Sequence, residues 1–435
     1  MLKVIIVSNS PWRSDNSFGN SFTNIFGGIE NIEIANIYCK YGKPDNKIVK
    51  RYFQITEKSL LNHFLKKTPS GREVVVCSNE KNEQLEEGEK TFNSMKRHKN
   101  TFKFWVRGAI WKVFKPFSQE LDDFIDSFAP DVVFINLYYS YYIHDINRYI
   151  MKRCNIPAVG YASDDVYSLN RFSLSPLFWI DRLIMHRKMK KVFNLCDNIY
   201  VISKVQKEEY EKVFGNKFSL LTKCADFVEN KKPFSKIISK PYNILYAGNI
   251  SKGRYKILIK LAKAIDCINT EYLQYELSIY TSSIIGKRNV EKLQKCKGVH
   301  LYPPISYREV CDKQNSADFL LHIEAFDIRE RKAVHQSFST KIVDYLFAQR
   351  CIIAIGDASC ASIQYFKENE CAIVIDDKKN IKTKMQMILE TSPETIQHYV
   401  DKAWESGRLH HQRNEMQREL YQNLVEVVNK SRGAK

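Results

Sequence analysis

Short apolar runs rich in β-branched residues recur along the whole chain, and each is separated from the next by a segment with helical periodicity. Runs of this kind are typical of strands buried on both faces of a parallel sheet. Strands alternating with helices predict a doubly wound α/β fold. The runs are LKVIIVSN, IEIANIY, EVVVCS, PDVVFINL, PAVGYAS and NIYVIS in the first half, and YNILYAGN, YELSIYTS, GVHLYPP, DFLLHIE, CIIAIGD and CAIVIDD in the second.

The alternation occurs twice, with an interruption near the middle. At 435 residues the chain exceeds the roughly 250 to 300 residues at which single cores stop growing. Residues 229–242, ENKKPFSKIISKPY, are polar, basic and twice interrupted by proline, as expected of a linker. We predict two Rossmann-like, doubly wound parallel-sheet domains that face each other across a cleft, at 1–228 and 243–394. Residues 395–435 are predicted to be helical and to pack back across the domain junction.

Composition restricts the compartment and the partner. Eleven cysteines are scattered singly, without a C-x-x-C pair, as is typical of reduced thiols in a cytoplasmic protein. The first apolar run is too short for a signal peptide, and no run of eighteen apolar residues occurs. The formal net charge of +18 indicates an acidic partner, which is nucleic acid, an anionic membrane or a phosphorylated small molecule.

The most informative stretch is HQSFSTKIVDYLFAQRCIIAIGD, residues 335 to 357. Ser339 and Thr340 precede a predicted helix of about ten residues, whose first free amides, up to that of Lys341, face a site for an anion such as a diphosphate. Asp344 lies four positions beyond Thr340, so the two share a helix face roughly 6 Å apart. That spacing suits a diphosphate at one end and a ribose at the other. The alternative is an ordinary capped helix with a surface aspartate.

At these residues the chain resembles glycosyltransferase family 4, the large retaining class of GT-B glycosyltransferases. That family carries two acidic residues eight positions apart, of which the second holds the ribose and the first lies near the transferred sugar. Asp344 matches the second position. The first falls on Gln336, which is not acidic, although an amide can still hydrogen-bond a sugar hydroxyl.

Two more segments of the second half resemble the same family. ILYAGNISKGRYK looks like the segment that grips the pyrophosphate, with Arg254 in place of the family's lysine, Lys252 nearby and Asn249 in place of its arginine, after Gly248. Solvated loop charges are the alternative for the two cations. GVHLYPPISYREV resembles the base-binding segment, and the resemblance makes Ile305 the expected contact.

The first half resembles the family mainly in layout. NSPWRSDNSFGNSFTNIF follows the first strand and resembles the acceptor and phosphate loop, with Gly19 before a helix that Asn20 or Ser21 would cap. A plain helix start is the alternative. In PAVGYASDDVYS the resemblance makes Asp164 the candidate for contacting or deprotonating the acceptor hydroxyl. An ordinary turn is the alternative there. Asn136 stands where the family often has a histidine.

Residues 95–117 are basic and aromatic, without an acidic residue. On a helix, their apolar residues would form one stripe and most cations would lie on the other side, which favours contact with an anionic membrane surface. The alternative is an amphipathic helix that faces the core. Residues 181–193 form a second basic helix of the same kind. The stripe consists of Phe102, Trp105, Val106, Ala109, Ile110 and Val113.

The resemblance implies a hexosyltransferase-type glycosyltransferase (EC 2.4) that moves a sugar from a nucleoside-diphosphate donor, UDP- or GDP-linked, to a saccharide or lipid-linked saccharide. Retention of configuration, capsular or other surface polysaccharide synthesis and a place on the inner face of the cell membrane are expected with it. Arg254, Gln336 and Asp164 are the catalytic candidates. No D-x-D triplet or His/Cys cluster occurs, so neither a metal nor a further cofactor is expected. A non-catalytic relative that binds a glycan or a partner enzyme, and a nucleic-acid-binding protein, are the alternatives.

Overall fold

A computed structural model describes residues 1–76, 101–228 and 239–433. The chain forms two compact units. Unit 1 comprises Met1–Leu169, Ser173–Lys223 and Asn414–Lys435, and unit 2 comprises Asn170–Phe172 and Cys224–Arg413. Residues 229–238 of the predicted linker lie outside the described ranges, and its last residue, Tyr242, begins the first strand of unit 2.

Unit 1 contains one sheet of eight strands in the order β4-β3-β2-β1-β5-β6-β7-β8. All neighbours pair in parallel except β3 and β4, which are antiparallel. The strands are β1 (Leu2–Ser8), β2 (Ile32–Tyr38), β3 (Val49–Ile55), β4 (Gly71–Val74), β5 (Val132–Asn136), β6 (Ala158–Ala162), β7 (Asn198–Val201) and β8 (Phe218–Leu220).

The helices of unit 1 lie between the strands in sequence, and several of them bury one apolar face. In α4, for example, Leu121, Phe124, Ile125 and Phe128 are buried at the helical spacing. The helices are α1 (Ser17–Phe26), α2 (Glu57–Lys66), α3 (Thr101–Val113), α4 (Gln119–Phe128), α5 (Ile143–Cys154), α6 (Pro176–Leu195) and α7 (Lys204–Phe214), together with α16 (Arg413–Gly433) near the end of the chain.

The predicted parallel strand EVVVCS differs from the observed one. Its last two residues lie outside the described ranges, and β4 ends at Val74, at the edge of the sheet and antiparallel to β3. Val75 is 76% exposed, so this apolar run is not part of the core. The edge is polar, since Arg51 of β3 pairs with Glu73 of β4 at 2.7 Å, which suits a strand with one unpaired side.

Unit 2 contains a six-stranded parallel sheet in the order β11-β10-β9-β12-β13-β14. Numbered within the unit, this is 3-2-1-4-5-6, the order of dinucleotide-binding folds, with its switch point between β9 and β12. All six strands match runs in the sequence. They are β9 (Tyr242–Ala247), β10 (Tyr275–Tyr280), β11 (Val299–Tyr302), β12 (Phe319–Ile323), β13 (Cys351–Ile355) and β14 (Ile373–Ile375).

The helices of unit 2 lie between these strands in sequence and after the last of them. They are α8 (Arg254–Ile268), α9 (Lys287–Gln294), α10 (Tyr307–Ser316), α11 (Ile328–Val334), α12 (Lys341–Phe347), α13 (Ala361–Glu368), α14 (Ile381–Leu389) and α15 (Pro393–His410).

The carboxyl-terminal helical segment is interrupted after His410, and its two helices belong to different units. Within unit 1, the side chain of Asn198 donates a hydrogen bond to Asn423 at 3.0 Å, and Arg432 pairs with Asp131. That this segment crosses the domain junction stays a prediction. No helix within the described ranges has the length and apolar character needed to span a bilayer.

Candidate anion site at the switch point of unit 2

The carboxyl ends of β9 and β12 flank the point at which the strand order of unit 2 reverses, which is where open parallel sheets bind ligands. Gly248 follows β9 with φ of +149°, a conformation that favours glycine. A Cβ atom at this position would lie 1.4 Å from Nζ of Lys341. Glycine therefore leaves the space that the lysine head occupies above the end of β9.

Lys341 is the first residue of α12, and its Nζ lies 5.4 Å from the centre of the Tyr246 ring. A cation at this distance from an aromatic face is attracted by it. Burial, and secondarily the charge of Arg254, lower the pKa of Lys341 to about 8. A lowered pKa means that the charged ammonium is held here at a cost, which a bound anion would offset.

The second cation of the cluster is Arg254, the first residue of α8. Its Nη2 donates to both carboxylate oxygens of Glu324, at 3.0 and 2.9 Å, and its Nε donates to the carbonyl oxygen of Ile323 at 3.0 Å. Glu324 follows β12 and is 2% exposed. Burial raises the pKa of Glu324, and the neighbouring cations oppose that rise, with Arg254 the strongest of them.

The site as a whole has more positive than negative charge in its interior. His322 adds none, because burial lowers its pKa to about 3 and leaves it neutral; its Nε2 lies 3.1 Å from Oγ of Ser362. Glu324 is thus the buried carboxylate that faces two cations, Arg254 and Lys341. Lys252, exposed and with φ of +54°, acts on Glu324 from the surface. This excess of positive charge can hold a fully deprotonated anion, such as a diphosphate diester.

Helix α12 is shorter than predicted, with seven residues rather than about ten. It ends before Gln349, which has φ of +55°, and the amide of Ile342 already donates to the carbonyl oxygen of Ser339 at 3.0 Å. Thr340 precedes the helix but makes no capping hydrogen bond through its side chain. The positive charge at this end is therefore supplied mainly by the Lys341 side chain.

Asp344 lies three residues after Lys341, on the partly exposed face of α12, as neighbours at this spacing do. The Tyr307 hydroxyl donates to its Oδ1 at 3.4 Å. Sequence reasoning did not consider Tyr307, the first residue of α10. The segment that resembles the base-binding one contains a capping box formed by Ser306 and Glu309, and Ile305, just before it, is half-buried.

Asn249, one of the resemblance-derived residues, has structural partners of its own. The side-chain oxygen of Asn249 accepts from the amide of Ser251 at 2.7 Å and from the Ser283 hydroxyl at 3.1 Å, so it fixes the loop after β9. Gln336 is 3% exposed and lies between α11 and α12.

Of the residues predicted for the donor site, the structure brings together Gly248, Lys341 and Arg254, with Glu324 as a partner that sequence reasoning missed. The sequence could have indicated Glu324, because this carboxylate directly follows the apolar run DFLLHI.

In unit 1, the helix start near Gly19 differs from the expectation. Helix α1 begins at Ser17, and its cap is Asn16, whose side chain accepts from the amide of Gly19 at 2.7 Å. Capping by Asn20 or Ser21 was wrong, because both lie within the helix. A Cβ atom on Gly19 would lie 1.9 Å from the carbonyl oxygen of Arg13. The close approach that requires glycine is therefore to the chain's own loop.

The adjacent aspartates after β6 have different environments. Asp165 is buried and accepts hydrogen bonds from the amide and hydroxyl of Ser168 and from Tyr210, with Arg182 at 3.4 Å. It shapes the loop. Asp164 is exposed, so a carboxylate reaches the solvent near the carboxyl end of β6. Asn136, at the end of β5, is 2% exposed.

Among the described residues, no three His, Cys, Asp or Glu side chains are grouped to hold a metal ion. Independence from metals stays a prediction.

Two units with parallel sheets, the second in dinucleotide-binding order, define a fold of the GT-B glycosyltransferase type, and similarity to solved structures agrees with this. Sucrose-phosphate synthase from Thermosynechococcus elongatus is similar with a TM-score of 0.62 at 11% identity, over 99% of this chain and 100% of that one. HepE from Anabaena, in complex with UDP-glucose, gives 0.57 at 8%, over 98% and 100%. WaaG, a glycosyltransferase involved in lipopolysaccharide biosynthesis, gives 0.54 at 11%, over 96% and 98%. No protein-family profile and no curated protein sequence matches the chain.

Proposed function

We propose that this protein is a glycosyltransferase that uses a nucleoside-diphosphate sugar as donor. The observation that carries the proposal is the cluster at the switch point of unit 2, where Lys341 and Arg254 face one buried carboxylate. The diphosphate would lie against Lys341 and the loop after Gly248, with Lys252 at the surface. Asp344, beside Tyr307, would hold the ribose hydroxyls.

The chemistry follows from where charge develops. When the bond between the sugar and the diphosphate breaks, negative charge grows on the leaving diphosphate, and preorganised cations stabilise that charge more in the transition state than in the ground state. Lys341 and Lys252 supply this stabilisation. Arg254 contributes its field while its guanidinium stays on Glu324. Asp164 of unit 1 is our candidate for contacting the acceptor hydroxyl.

The donor, the acceptor, the pathway and the stereochemistry of the reaction are proposed as well. HepE, similar in fold, binds UDP-glucose, and WaaG, also similar, acts in lipopolysaccharide biosynthesis. The UDP-glucose of HepE supports a UDP-linked hexose as donor, and the process in which WaaG acts supports a saccharide or lipid-linked saccharide as acceptor and a role in surface polysaccharide synthesis. A GDP-linked donor, capsular polysaccharide and a place at the cytoplasmic face of the membrane rest on the resemblance to glycosyltransferase family 4 alone. Retention of configuration rests on the resemblance to glycosyltransferase family 4.

The second candidate is a non-catalytic GT-B relative. It is favoured by the absence of an acid at Gln336, which is buried, and by Asn249, whose side-chain oxygen already has two donors. A screen of UDP- and GDP-sugars by thermal shift, followed by measurement of donor hydrolysis, separates the two. We expect a shift and slow release of nucleoside diphosphate for one donor. Tight binding without release on any acceptor favours the relative, and no binding of any nucleotide sugar contradicts the proposed transferase.

Replacing Asp344 with alanine is expected to weaken nucleotide-sugar binding by roughly tenfold or more, because a hydrogen bond to a charged group contributes about 1.5–3 kcal/mol. The fold should be unaffected, since Asp344 is partly exposed. Isothermal titration calorimetry measures the change, with Asp312→Ala on exposed α10 as the matched control. An unchanged affinity of Asp344→Ala for the donor would remove this residue from the site.

Donor binding is expected to depend on pH through Lys341. Its pKa of about 8 leaves the ammonium charged at neutral pH, and a bound diphosphate raises that pKa further. The dissociation constant should stay flat below about pH 7 and increase by up to tenfold per unit above the free-state pKa of about 8. In Lys341→Arg the charge persists across this range, so the profile should be flat. The same slope in both proteins would show that another group is responsible.

A further inference from the structure

A cavity of about 320 Å³ lies in unit 1 between α3 and α5, outside the donor site of unit 2. Two stacked aromatic pairs form its walls. The rings of Trp111 and Tyr142 stack with centroids 4.1 Å apart and planes at 11°, and those of Phe117 and Tyr149 with centroids 4.2 Å apart and planes at 22°. Trp111 is also fixed by its indole N–H, which donates to Glu57 at 2.9 Å. The cavity therefore has rigid, apolar walls.

Four cations line this cavity: Lys112, Lys115, Arg148 and Lys152. Its carboxylate, Asp145, pairs with Lys188 at 3.0 Å. Within residues 1–76, 101–228 and 239–433, no hydrogen bond or ion pair joins any of the four to a carboxylate. Burial is the main cause that lowers the pKa of Lys188, and the charges of Arg148 and Lys112 add to it. The potential in and around the cavity is accordingly positive, and an anion entering it meets cations without carboxylate partners.

An exposed apolar stripe runs along α3, the helix whose last turn lines the cavity through Trp111 and Lys112. Val106 is 43% exposed and Val113 is 65% exposed, and Ala109 between them is exposed as well. Among residues 104–113 of this helix, the part whose burial is described, the buried residue is instead Trp111, 2% exposed, which the predicted stripe did not contain. The apolar residues expected to face one surface are thus partly available to solvent, next to Lys112.

The end of α2 also combines exposed apolar side chains with cations. Phe64 and Leu65 are 64% and 72% exposed, and the exposed Lys66 and Lys67 follow them. The ring of Phe64 contacts that of Phe114, just after α3, with the ring centroids 4.9 Å apart. Exposed apolar side chains interleaved with cations are the pattern by which a surface inserts into the interface of an anionic bilayer.

We propose that the cavity between α3 and α5 binds the phosphate of an anionic membrane lipid, and that the exposed apolar residues of α2 and α3 enter the bilayer interface beside it. The cations at the cavity mouth contact the phosphate oxygens, and the aromatic walls cover the glycerol and first methylene groups. A free phosphate ester would use the cations and leave the apolar stripe of α3 without a role. The charge and the exposed apolar surface together therefore favour a lipid.

The test is sedimentation with vesicles of phosphatidylcholine containing phosphatidylglycerol, using the full chain. The cavity variant is Arg148→Gln/Lys152→Gln, and the matched control is Lys47→Gln/Lys50→Gln, which removes two exposed cations of unit 1 outside the cavity. Since each cation near an anionic surface changes binding about fivefold, we expect the cavity variant to bind roughly thirtyfold more weakly. The control variant should bind nearly as the parent protein does.

Three outcomes would overturn the proposal. The first is a control variant that loses as much binding as the cavity variant, which would indicate diffuse charge alone. The second is a parent protein that binds phosphatidylcholine vesicles equally with and without phosphatidylglycerol. The third is a cavity variant that keeps vesicle binding but loses binding of glycerol 3-phosphate, which would make the ligand a free phosphate ester. Nucleotide-sugar binding, measured on the same variants, should not change and reports separately on unit 2.

Discussion

Lys341→Met is expected to weaken nucleotide-sugar binding by about a hundredfold, the largest effect of any single change at the proposed donor site. The ammonium of Lys341 lies at the end of β9 in the space beside Gly248, and burial lowers its pKa to about 8. A charge-assisted hydrogen bond from such a group to a phosphate contributes up to about 3 kcal/mol, which is roughly a hundredfold in the dissociation constant. Methionine keeps an apolar side chain of similar length in the space beside Gly248, so packing is largely retained.

The melting temperature separates this role from a structural one. Because burial and Arg254 both disfavour the charged form of Lys341, its removal relieves a cost, and Lys341→Met should melt no lower than the parent protein. Calorimetry with the nucleotide sugar measures the affinity, and Lys260→Met, an exposed lysine of α8, is the matched control. A Lys341→Met protein with parent affinity, or one that melts well below the parent, would contradict the assignment.

The fold was predictable from periodicity where strands are buried on both faces. All six strands of unit 2 coincide with apolar runs. The strands β9, β12 and β13 are buried at every residue except Asn243, as strands covered on both faces are. Prediction failed at both edges of the unit 1 sheet, since the three-residue edge strand β8 matches no predicted run and the opposite edge differs as well. Strand β3 contains Lys50, Arg51 and Gln54 and does not stand out as an apolar run. Strand β4 is short and antiparallel, and its neighbour Val75 is apolar but exposed.

The site was predictable in its location more than in its contacts. The order of strands places the loops after β9 and β12 together, and the sequence already indicated Gly248 and Lys341 as parts of one site. It could not indicate that Arg254 pairs with Glu324, seventy residues away in sequence, because such a pairing depends on strand order. Likewise nothing in the dipeptide Asp164–Asp165 indicates which carboxylate is buried.

The structure gives Arg254 a role in stability that the sequence did not suggest. Arg254→Met should lower the free energy of unfolding of unit 2 by about 3–5 kcal/mol, because it leaves the carboxylate of Glu324, 2% exposed, without its ion-pair partner. For a unit of this size each kcal/mol lowers the melting temperature by about 2–4 °C. A decrease on the order of 10 °C is therefore expected in thermal unfolding followed by circular dichroism. Arg329→Met, on the exposed part of α11, is the matched control.

The double variant Arg254→Met/Glu324→Leu distinguishes a role of Arg254 in stability from a role in catalysis. Removing both charges leaves no unpaired carboxylate, so most of the lost stability should return, as it does when buried ion pairs are replaced by apolar residues of similar volume. Donor binding in the double variant should change less than in Lys341→Met, since Arg254 acts on the diphosphate only through its field. If Arg254→Met instead melts like the parent protein and loses turnover at unchanged donor affinity, the guanidinium stabilises the leaving group directly. The ion pair between Arg254 and Glu324 would then exist only while no donor is bound.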